Sequence, residues 1–189
     1  MNKYCIDLDF GIDPIPTSLL TSLNTDQYVH VFSAVQHMNP EFIVLMSKLG
    51  IVIDHIEFFV SKPNYFTPIH RDVTNIPTES YDFIKLNYVF GGTDSLMKWY
   101  EILNDAKPYN SVIPNNQQQV YVTSDSYRIN DLALIHEQTV KFPSLVQVGI
   151  PHNVQNTNEL RVCLCVVPLK DGKRITMSSA LEIFKDYIV

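Results

Sequence analysis

The chain has 189 residues, which is enough for one domain of ordinary size with a full hydrophobic core. Hydrophobic residues make up 46% of the sequence, and this proportion fits a globular protein and excludes a disordered one. The formal net charge is −6 and the longest basic cluster is the pair Lys173 and Arg174. Because phosphate binding normally needs a basic face, DNA and RNA are disfavoured as partners.

The sequence carries no signal for a membrane or for export. No run of about 18 apolar residues occurs, so no transmembrane helix is predicted. The first residues carry acidic side chains where a signal peptide has its apolar stretch. There are three cysteines, and Cys163 and Cys165 should share one strand face, a poor geometry for a disulfide between them. We therefore expect a cytoplasmic protein with reduced thiols.

Most of the chain is predicted as β-structure. Eleven prolines and six glycines separate short segments, which favours a strand-rich fold with many turns. Eight segments are rich in Val, Ile, Tyr and Phe and are bounded by turn residues, as strands are. They are residues 3–9, 27–32, 51–60, 82–90, 95–102, 118–123, 145–150 and 160–168.

Helices are predicted mainly near the two ends of the chain. The clearest one has Asn39 as its N-cap, Pro40 at its first position and Gly50 after its end. A shorter helix is expected within residues 16–24, and an amphipathic one over residues 179–188.

This order of elements predicts a mainly β single domain over residues 1–189. Helices that fall early and late, with strands between them, favour a sandwich or jelly roll with the helices packed on one outer face. We expect supporting elements over about 1–50, a jelly-roll core over about 51–168 and a C-terminal helix over about 178–188.

Three residues are predicted to bind one metal ion. His70 and Asp72 form a His-x-Asp pair, and side chains two apart on an extended segment point to the same face. Pro68, just before the pair, favours extended backbone. His152 lies in a Pro-His turn between two predicted strands. Two imidazoles and one carboxylate can occupy one face of an ion, as they do in non-haem Fe(II) oxygenases with open positions for substrate and oxygen.

Two other histidine patterns compete with this interpretation. His55 and Glu57 have the same spacing as the pair, but nothing downstream supports them, and we interpret them as the hydrogen-bonded face of a strand. His136 is the alternative third ligand. An arginine, Arg161, follows His152 by nine residues, whereas Leu145 stands nine residues after His136. For His136, a core or edge histidine with its hydrogen bonds satisfied is the simpler interpretation.

Arg161 opens a run that is otherwise apolar, so its charge needs a partner if it is buried. That partner is either a carboxylate of the protein or the far carboxylate of a bound dicarboxylic acid, which the guanidinium fork can grip with two hydrogen bonds.

In this order, the residues resemble the 2-oxoglutarate- and Fe(II)-dependent oxygenase superfamily. The resemblance covers about residues 55–168 and leaves the first fifty unmatched. The order of these residues is similar to that in small oxygenases of marine bacteriophages and bacteria, and to that in the aspartyl/asparaginyl β-hydroxylase and phytanoyl-CoA dioxygenase branches. The matching segments are residues 68–72, 85–90, 99–101, 149–156 and 161–163.

The resemblance implies a double-stranded β-helix in which His70, Asp72 and His152 hold Fe(II). The co-substrate would be 2-oxoglutarate, with Arg161 pairing with its far carboxylate. Asn87 is a plausible polar contact to the keto acid or the substrate. Cys163 stands where many relatives have Ser or Thr, so a hydrogen bond to the keto acid from this position is weak or absent.

The remaining candidates concern the substrate pocket. Lys85, Trp99 and Tyr100 are assigned to it, although such aromatics are more often core residues and Lys85 would need a partner inside the fold. The implied reaction uses O2 to hydroxylate a small molecule or an amino-acid or peptidyl side chain, releasing succinate and CO2, with ascorbate as a reductant in vitro. The carboxylate of Asp72 favours hydroxylation over halogenation, and the substrate stays open.

Two alternatives belong to other functional classes. One is a non-catalytic jelly roll that binds or supports a partner, with a coincidental metal motif. The other is a cupin-like Zn or Mn enzyme with the same three ligands and no need for Arg161.

Overall fold

The computed structural model describes residues 3–26, 29–72, 81–114, 121–140 and 143–189. The strands are β1 (Cys5–Asp7), β2 (Val29–Ser33), β3 (Val52–Ser61), β4 (His70–Asp72), β5 (Ile84–Phe90), β6 (Leu96–Ile102), β7 (Tyr109–Pro114), β8 (Tyr121–Ser126), β9 (Leu132–Thr139), β10 (Ser144–Gln147), β11 (His152–Gln155), β12 (Arg161–Lys170) and β13 (Lys173–Arg174). The helices are α1 (Thr17–Ser22), α2 (Ala34–His37), α3 (Pro40–Lys48) and α4 (Met177–Ile183), with 3-10 turns at Ile129–Asp131 and Lys185–Tyr187.

The strands form two antiparallel sheets, which confirms the prediction of a mainly β protein with few helices. The larger sheet has the order β1-β10-β5-β12-β3-β2, with β13 paired to β12. The smaller sheet has the order β7-β8-β4-β11-β6-β9. From β3 to β6, and again from β9 to β12, successive strands alternate between the two sheets. Residues distant in sequence are therefore brought to facing walls.

The central strands of the larger sheet are covered on both faces. On β5, Leu86 and Tyr88 join a hydrophobic core with α3 and α4, whose Phe42 and Ala180 are fully buried. The alternate residues Lys85 and Asn87 point to the opposite face. The helices thus pack on the outer face, and the inner face is left for polar groups between the sheets.

The capping signals located the helices, with some shift at their ends. The Asn39 side chain accepts a hydrogen bond from the Glu41 amide at 3.0 Å, as predicted, and Gly50 has a φ of +72°. The C-terminal helix begins earlier than expected because Thr176 caps it through the Ser179 amide, at 3.2 Å. Within the described part of the chain, no helix has both the length and the apolar character needed to cross a membrane.

Several strands were missed by the sequence interpretation, and edge position explains the clearest case. β9 pairs with β6 alone and exposes Leu134 and Ile135, so it lacks regular apolar alternation. β4, β7 and β11 were also absent from the predicted strands, and β4 and β11 have only three and four residues. Of the strands predicted at 27–32 and 118–123, residues 27, 28 and 118–120 lie outside the described residues.

Gly149 makes a tight packing position between β10 and the loop that leads to His152. A Cβ atom there would overlap the carbonyl oxygen of Tyr81 and press on the ring of Phe83. We expect Gly149→Ala to lower the free energy of unfolding by about 1–3 kcal/mol, because backbone must move to admit the methyl group. Urea denaturation measures this change, and an unaltered midpoint and slope would contradict the packing described.

Candidate metal centre

His70, Asp72 and His152 meet through direct pairing of two short strands. His70 and Asp72 lie on β4, and His152 opens β11, where it is the cross-strand partner of His70. Ligand atoms from the three side chains all lie within 4.8 Å of one another, and the two imidazole centroids are 4.6 Å apart. His152 is buried, while the other two are half-buried. This group could hold a metal ion.

Both imidazoles are oriented by the backbone. The Nδ1 atom of His70 lies 2.8 Å from the carbonyl oxygen of Pro68, and that of His152 lies 2.9 Å from the carbonyl oxygen of Ile150. A carbonyl only accepts, so each Nδ1 carries the proton and each Nε2 presents a lone pair. Such an outer hydrogen bond fixes the tautomer and the ring plane of histidines that bind metal.

Burial and nearby charges keep His152 and Asp72 in the protonation states that metal binding needs. Burial, followed by the charge of His70, lowers the pKa of His152 to about 4, so its ring is neutral at pH 7. Burial works to raise the pKa of Asp72, but the Lys85 ammonium and the two histidines outweigh it and hold that pKa well below its usual range. A neutral imidazole and an ionised carboxylate are both competent ligands.

His70, Asp72 and His152 are called the metal group below. One pocket between the two sheets contains the metal group and most of the other predicted residues. Its walls combine residues of the smaller sheet and of the larger one. The lining residues are Phe59, Ser61, Thr67, His70, Asp72, Lys85, Asn87, Met97, Val148, His152, Val154, Arg161, Cys163 and Cys165.

Arg161 lines this pocket as a buried cation. Its side chain is only 3% exposed, and its Nε atom donates a hydrogen bond of 3.0 Å to the hydroxyl of Ser95. Gly92 packs so closely that a Cβ there would lie 2.7 Å from the Cβ of Arg161. Among the described residues, no carboxylate forms an ion pair with this guanidinium. Of the two partners the sequence allowed, a protein carboxylate is therefore not found in this part of the chain.

The two thiols beside Arg161 share one strand face, as expected. The Sγ atoms of Cys163 and Cys165 are 3.7 Å apart, and all three cysteines are free. The hydrogen bond with Cys165 lowers the pKa of the Cys163 thiol below its ordinary value; burial opposes this shift and the charge of Arg161 supports it. Cys163 lies in the same pocket as Arg161, the residue that the resemblance predicts to bind the keto acid.

Lys85 and Asn87 both face the pocket, as alternate residues of one strand should. The Nζ atom of Lys85 lies 2.6 Å from Oε2 of Glu57 and 2.5 Å from Oδ2 of Asp72. Asn87 is buried, and within the described structure its Oδ1 atom has no hydrogen-bond partner. A buried acceptor without a donor is costly, so Oδ1 is suited to accept a hydrogen bond from a ligand.

The structure places Trp99 and Tyr100 outside the pocket that holds the metal group, unlike the other predicted residues. Trp99 is fully buried and donates a hydrogen bond of 2.8 Å to the Gln147 carbonyl oxygen. Tyr100 packs in a separate small cluster with Tyr127, and its hydroxyl lies 3.0 Å from Asn153 Oδ1. Met97 and Trp99 share one face of β6; Met97 lines the pocket, whereas Trp99 packs farther along the strand in a buried cluster with Phe83.

The competing histidines have ordinary structural roles. His136 lies on β9, stacks on Tyr4 and contacts Gln138, away from the metal group. His55 lies 2.6 Å from Asp54 and 3.4 Å from Glu57, which agrees with a hydrogen-bonded strand face. Sequence interpretation missed that Glu57 is the buried partner of Lys85. The available signal was a charged residue inside an otherwise apolar strand, and the same kind of signal singled out Arg161.

Compared with known proteins, the chain matches no family model and no curated protein sequence. Two imidazoles, one carboxylate, a buried arginine and an unsatisfied amide oxygen surround one opening, and this set is suited to a metal ion together with an anionic ligand.

The buried imidazole of His152 should make the metal-free protein sensitive to acid. Its folded pKa is about 4, compared with an ordinary 6.5, so between these values protons bind the unfolded chain preferentially and stability falls as the pH falls. The raised pKa of His55 acts in the opposite sense, adding stability as the pH falls toward 6.5, and the lowered pKa values of Glu57 and Asp72 remove stability mainly at pH values below this window.

We expect a loss on the order of 2 kcal/mol between pH 6.5 and 4.5 from this one group. Urea denaturation in the presence of a chelator measures it, and His152→Gln should flatten the dependence. Stability that stays constant across the window, or rises as the pH is lowered, would contradict the assignment.

Proposed function

We propose that this protein is a 2-oxoglutarate- and Fe(II)-dependent dioxygenase that hydroxylates a small molecule or an amino-acid or peptidyl side chain. The observation that carries the proposal is that His70, Asp72 and His152 share one pocket with Arg161. A buried arginine that has no carboxylate partner among the described residues, facing a two-histidine, one-carboxylate group, is the arrangement that a metal-chelating dicarboxylic acid requires.

The donor set supports iron over a structural metal. Two nitrogen donors and one oxygen donor leave open coordination positions, whereas structural zinc sites are closed by four protein ligands. Within the described residues, His70, Asp72 and His152 are the only group of three or more suitable donors. Cys163 and Cys165 line the same pocket without belonging to that group.

The charges of the pocket favour a dianionic ligand. Asp72 and Glu57 are balanced by Lys85 and Arg161, and His152 is neutral at pH 7. A divalent ion therefore adds an excess of two positive charges to a site with little access to solvent. A dicarboxylate such as 2-oxoglutarate neutralises that excess, which matters because unbalanced buried charge is strongly unfavourable.

The topology supports a double-stranded β-helix as the form of the domain. Successive strands alternate between two facing antiparallel sheets, as the crossing connections of a jelly roll require. The metal group comes from β4 and β11 of one sheet, and Arg161 opens β12 of the other. We also propose a reducing, cytoplasmic setting, which the three free thiols support.

When bound, iron and 2-oxoglutarate supply the activation of O2 and the oxidation of a C–H bond, with release of succinate and CO2. The residues of the chain bind, orient and exclude water. His70, Asp72 and His152 would hold the metal, and Arg161 would grip the far carboxylate with its guanidinium fork. Asn87 offers an acceptor to the keto acid or the substrate. Apolar side chains such as Phe59 and Val154 keep water away from the reacting groups.

Anaerobic titration with Fe(II) and 2-oxoglutarate tests the proposal directly. We expect a weak visible charge-transfer band that needs both components. His152→Ala should abolish it, because one of the three ligands is removed. The absence of a band at saturating concentrations in the unaltered protein would contradict an oxygenase. Metal binding without any response to the keto acid would instead favour the cupin-like Zn or Mn alternative.

Arg161→Ala should weaken 2-oxoglutarate binding by roughly 100-fold, since one partner of a buried charge-assisted pair is lost. Calorimetry with the metal-loaded protein measures this affinity. The affinity for the metal alone should stay within a few-fold, because Arg161 is not in the ligand group. The matched control is Arg71→Ala, which removes a cation paired with Asp125 outside the pocket. Equal keto-acid affinity in the Arg161 variant and this control would rule out the assigned role.

A further inference from the structure

The two oxygen atoms of Asp72 have different surroundings. Oδ1 lies 3.7 Å from the Nε2 atom of His70, and this Nε2 atom carries the lone pair that is directed at the metal position. Oδ2 lies 2.5 Å from the Nζ atom of Lys85. One oxygen therefore faces the other ligands, and the second is already engaged by a cation of the opposite sheet.

Lys85 is held firmly in this position. It is 5% exposed, and its Nζ atom is also bound by Oε2 of Glu57 at 2.6 Å. Glu57 is itself buried and is contacted through Oε1 by His55 at 3.4 Å. The ammonium group lies 5.6 Å from the centre of the Phe59 ring, which confines the side chain further. A chain of charged groups thus runs from His55 on β3 to the metal group on β4.

Stability alone is a poor explanation for this network. Removing lysine and glutamate from water is unfavourable, and a protein with apolar side chains of similar size at such positions is often at least as stable. Buried ionic groups of this kind are best understood where they fix one geometry among several. Here the geometry that is fixed is the orientation of the Asp72 carboxylate.

We propose that Lys85 is a positioning residue that restricts Asp72 to binding the metal through Oδ1 alone. The inference rests on the proposed function, because it concerns the same metal centre. A carboxylate that binds with one oxygen leaves three positions of a six-coordinate ion open, enough for a chelating keto acid and O2. A carboxylate that binds with both oxygens occupies one of those positions.

The test counts the water molecules on bound Mn(II), a metal that favours six oxygen or nitrogen ligands. Water-proton relaxation of the Mn(II)-loaded protein gives this count. The unaltered protein should hold about three waters. Replacement of the whole ion pair, Lys85→Met with Glu57→Gln, should lower the count to about two, because Oδ2 becomes free to bind the ion. The double replacement avoids leaving Glu57 buried without a cation.

Two further variants separate positioning from a general disturbance of the fold. Lys85→Arg keeps a cation beside Oδ2 and should retain about three waters. Arg71→Met removes an ion pair from the same strand, β4, but Arg71 is bound to Asp125 and not to Asp72, so the count should not change. Circular dichroism of each variant shows whether the sheets are intact, and Lys85→Met alone, which also frees Oδ2 and should lower the count to about two, takes the place of the double variant if that one does not fold.

An unchanged or increased count in the double variant overturns the role of Lys85 and leaves the metal centre standing. A loss of one water in Lys85→Arg as well as in the double variant also overturns it, since the cation would then not be what restrains Oδ2. If the unaltered protein binds no Mn(II), the metal centre itself is wrong and the inference falls with it.

Discussion

The cross-strand pairing of His152 with His70 is the constraint on which the whole site depends. Antiparallel partners on adjacent strands are held a few ångströms apart by the ladder of backbone hydrogen bonds, so two imidazoles 82 positions apart in the chain meet without any long side chain reaching across. The position of Asp72 follows from the two-residue repeat of β4. The three donors therefore take their places from the backbone, and the carbonyls of Pro68 and Ile150 set the ring orientations.

A second constraint is that the space between the sheets must accommodate charge. The outer face of the larger sheet is sealed by the helices, whereas its inner face presents Lys85, Asn87 and Arg161. Each of these groups would be unfavourable in a purely apolar core. Glu57 and Asp72 together balance the charges of Lys85 and Arg161, and the Arg161 guanidinium contacts the Ser95 hydroxyl. A divalent ion would add positive charge to this balanced set, and that excess is what makes an anionic ligand a physical requirement of the proposal.

The sequence was informative wherever a local rule operated. The Asn39 cap and the apolar central strands were predicted correctly because capping and burial on both faces leave a clear pattern. The metal group was found because a two-residue spacing on extended backbone makes a definite geometric statement. The edge strand β9 was missed because an exposed, weakly amphipathic segment has no such pattern. The sequence could not place Trp99 and Tyr100, because an aromatic residue in a strand gives the same pattern whether it fills a core or lines a pocket.

By itself, the sequence determined that the chain forms a mainly β fold with few helices, and it singled out His70, Asp72, His152 and Arg161. It also showed that Lys85 needed a partner. Only the tertiary structure decided which partner that was, because Glu57 and Asp72 come to Lys85 from different strands and no spacing along the chain encodes the contact. The same holds for Arg161. Its burial, and its lack of a carboxylate among the described residues, depend on how the two sheets face each other.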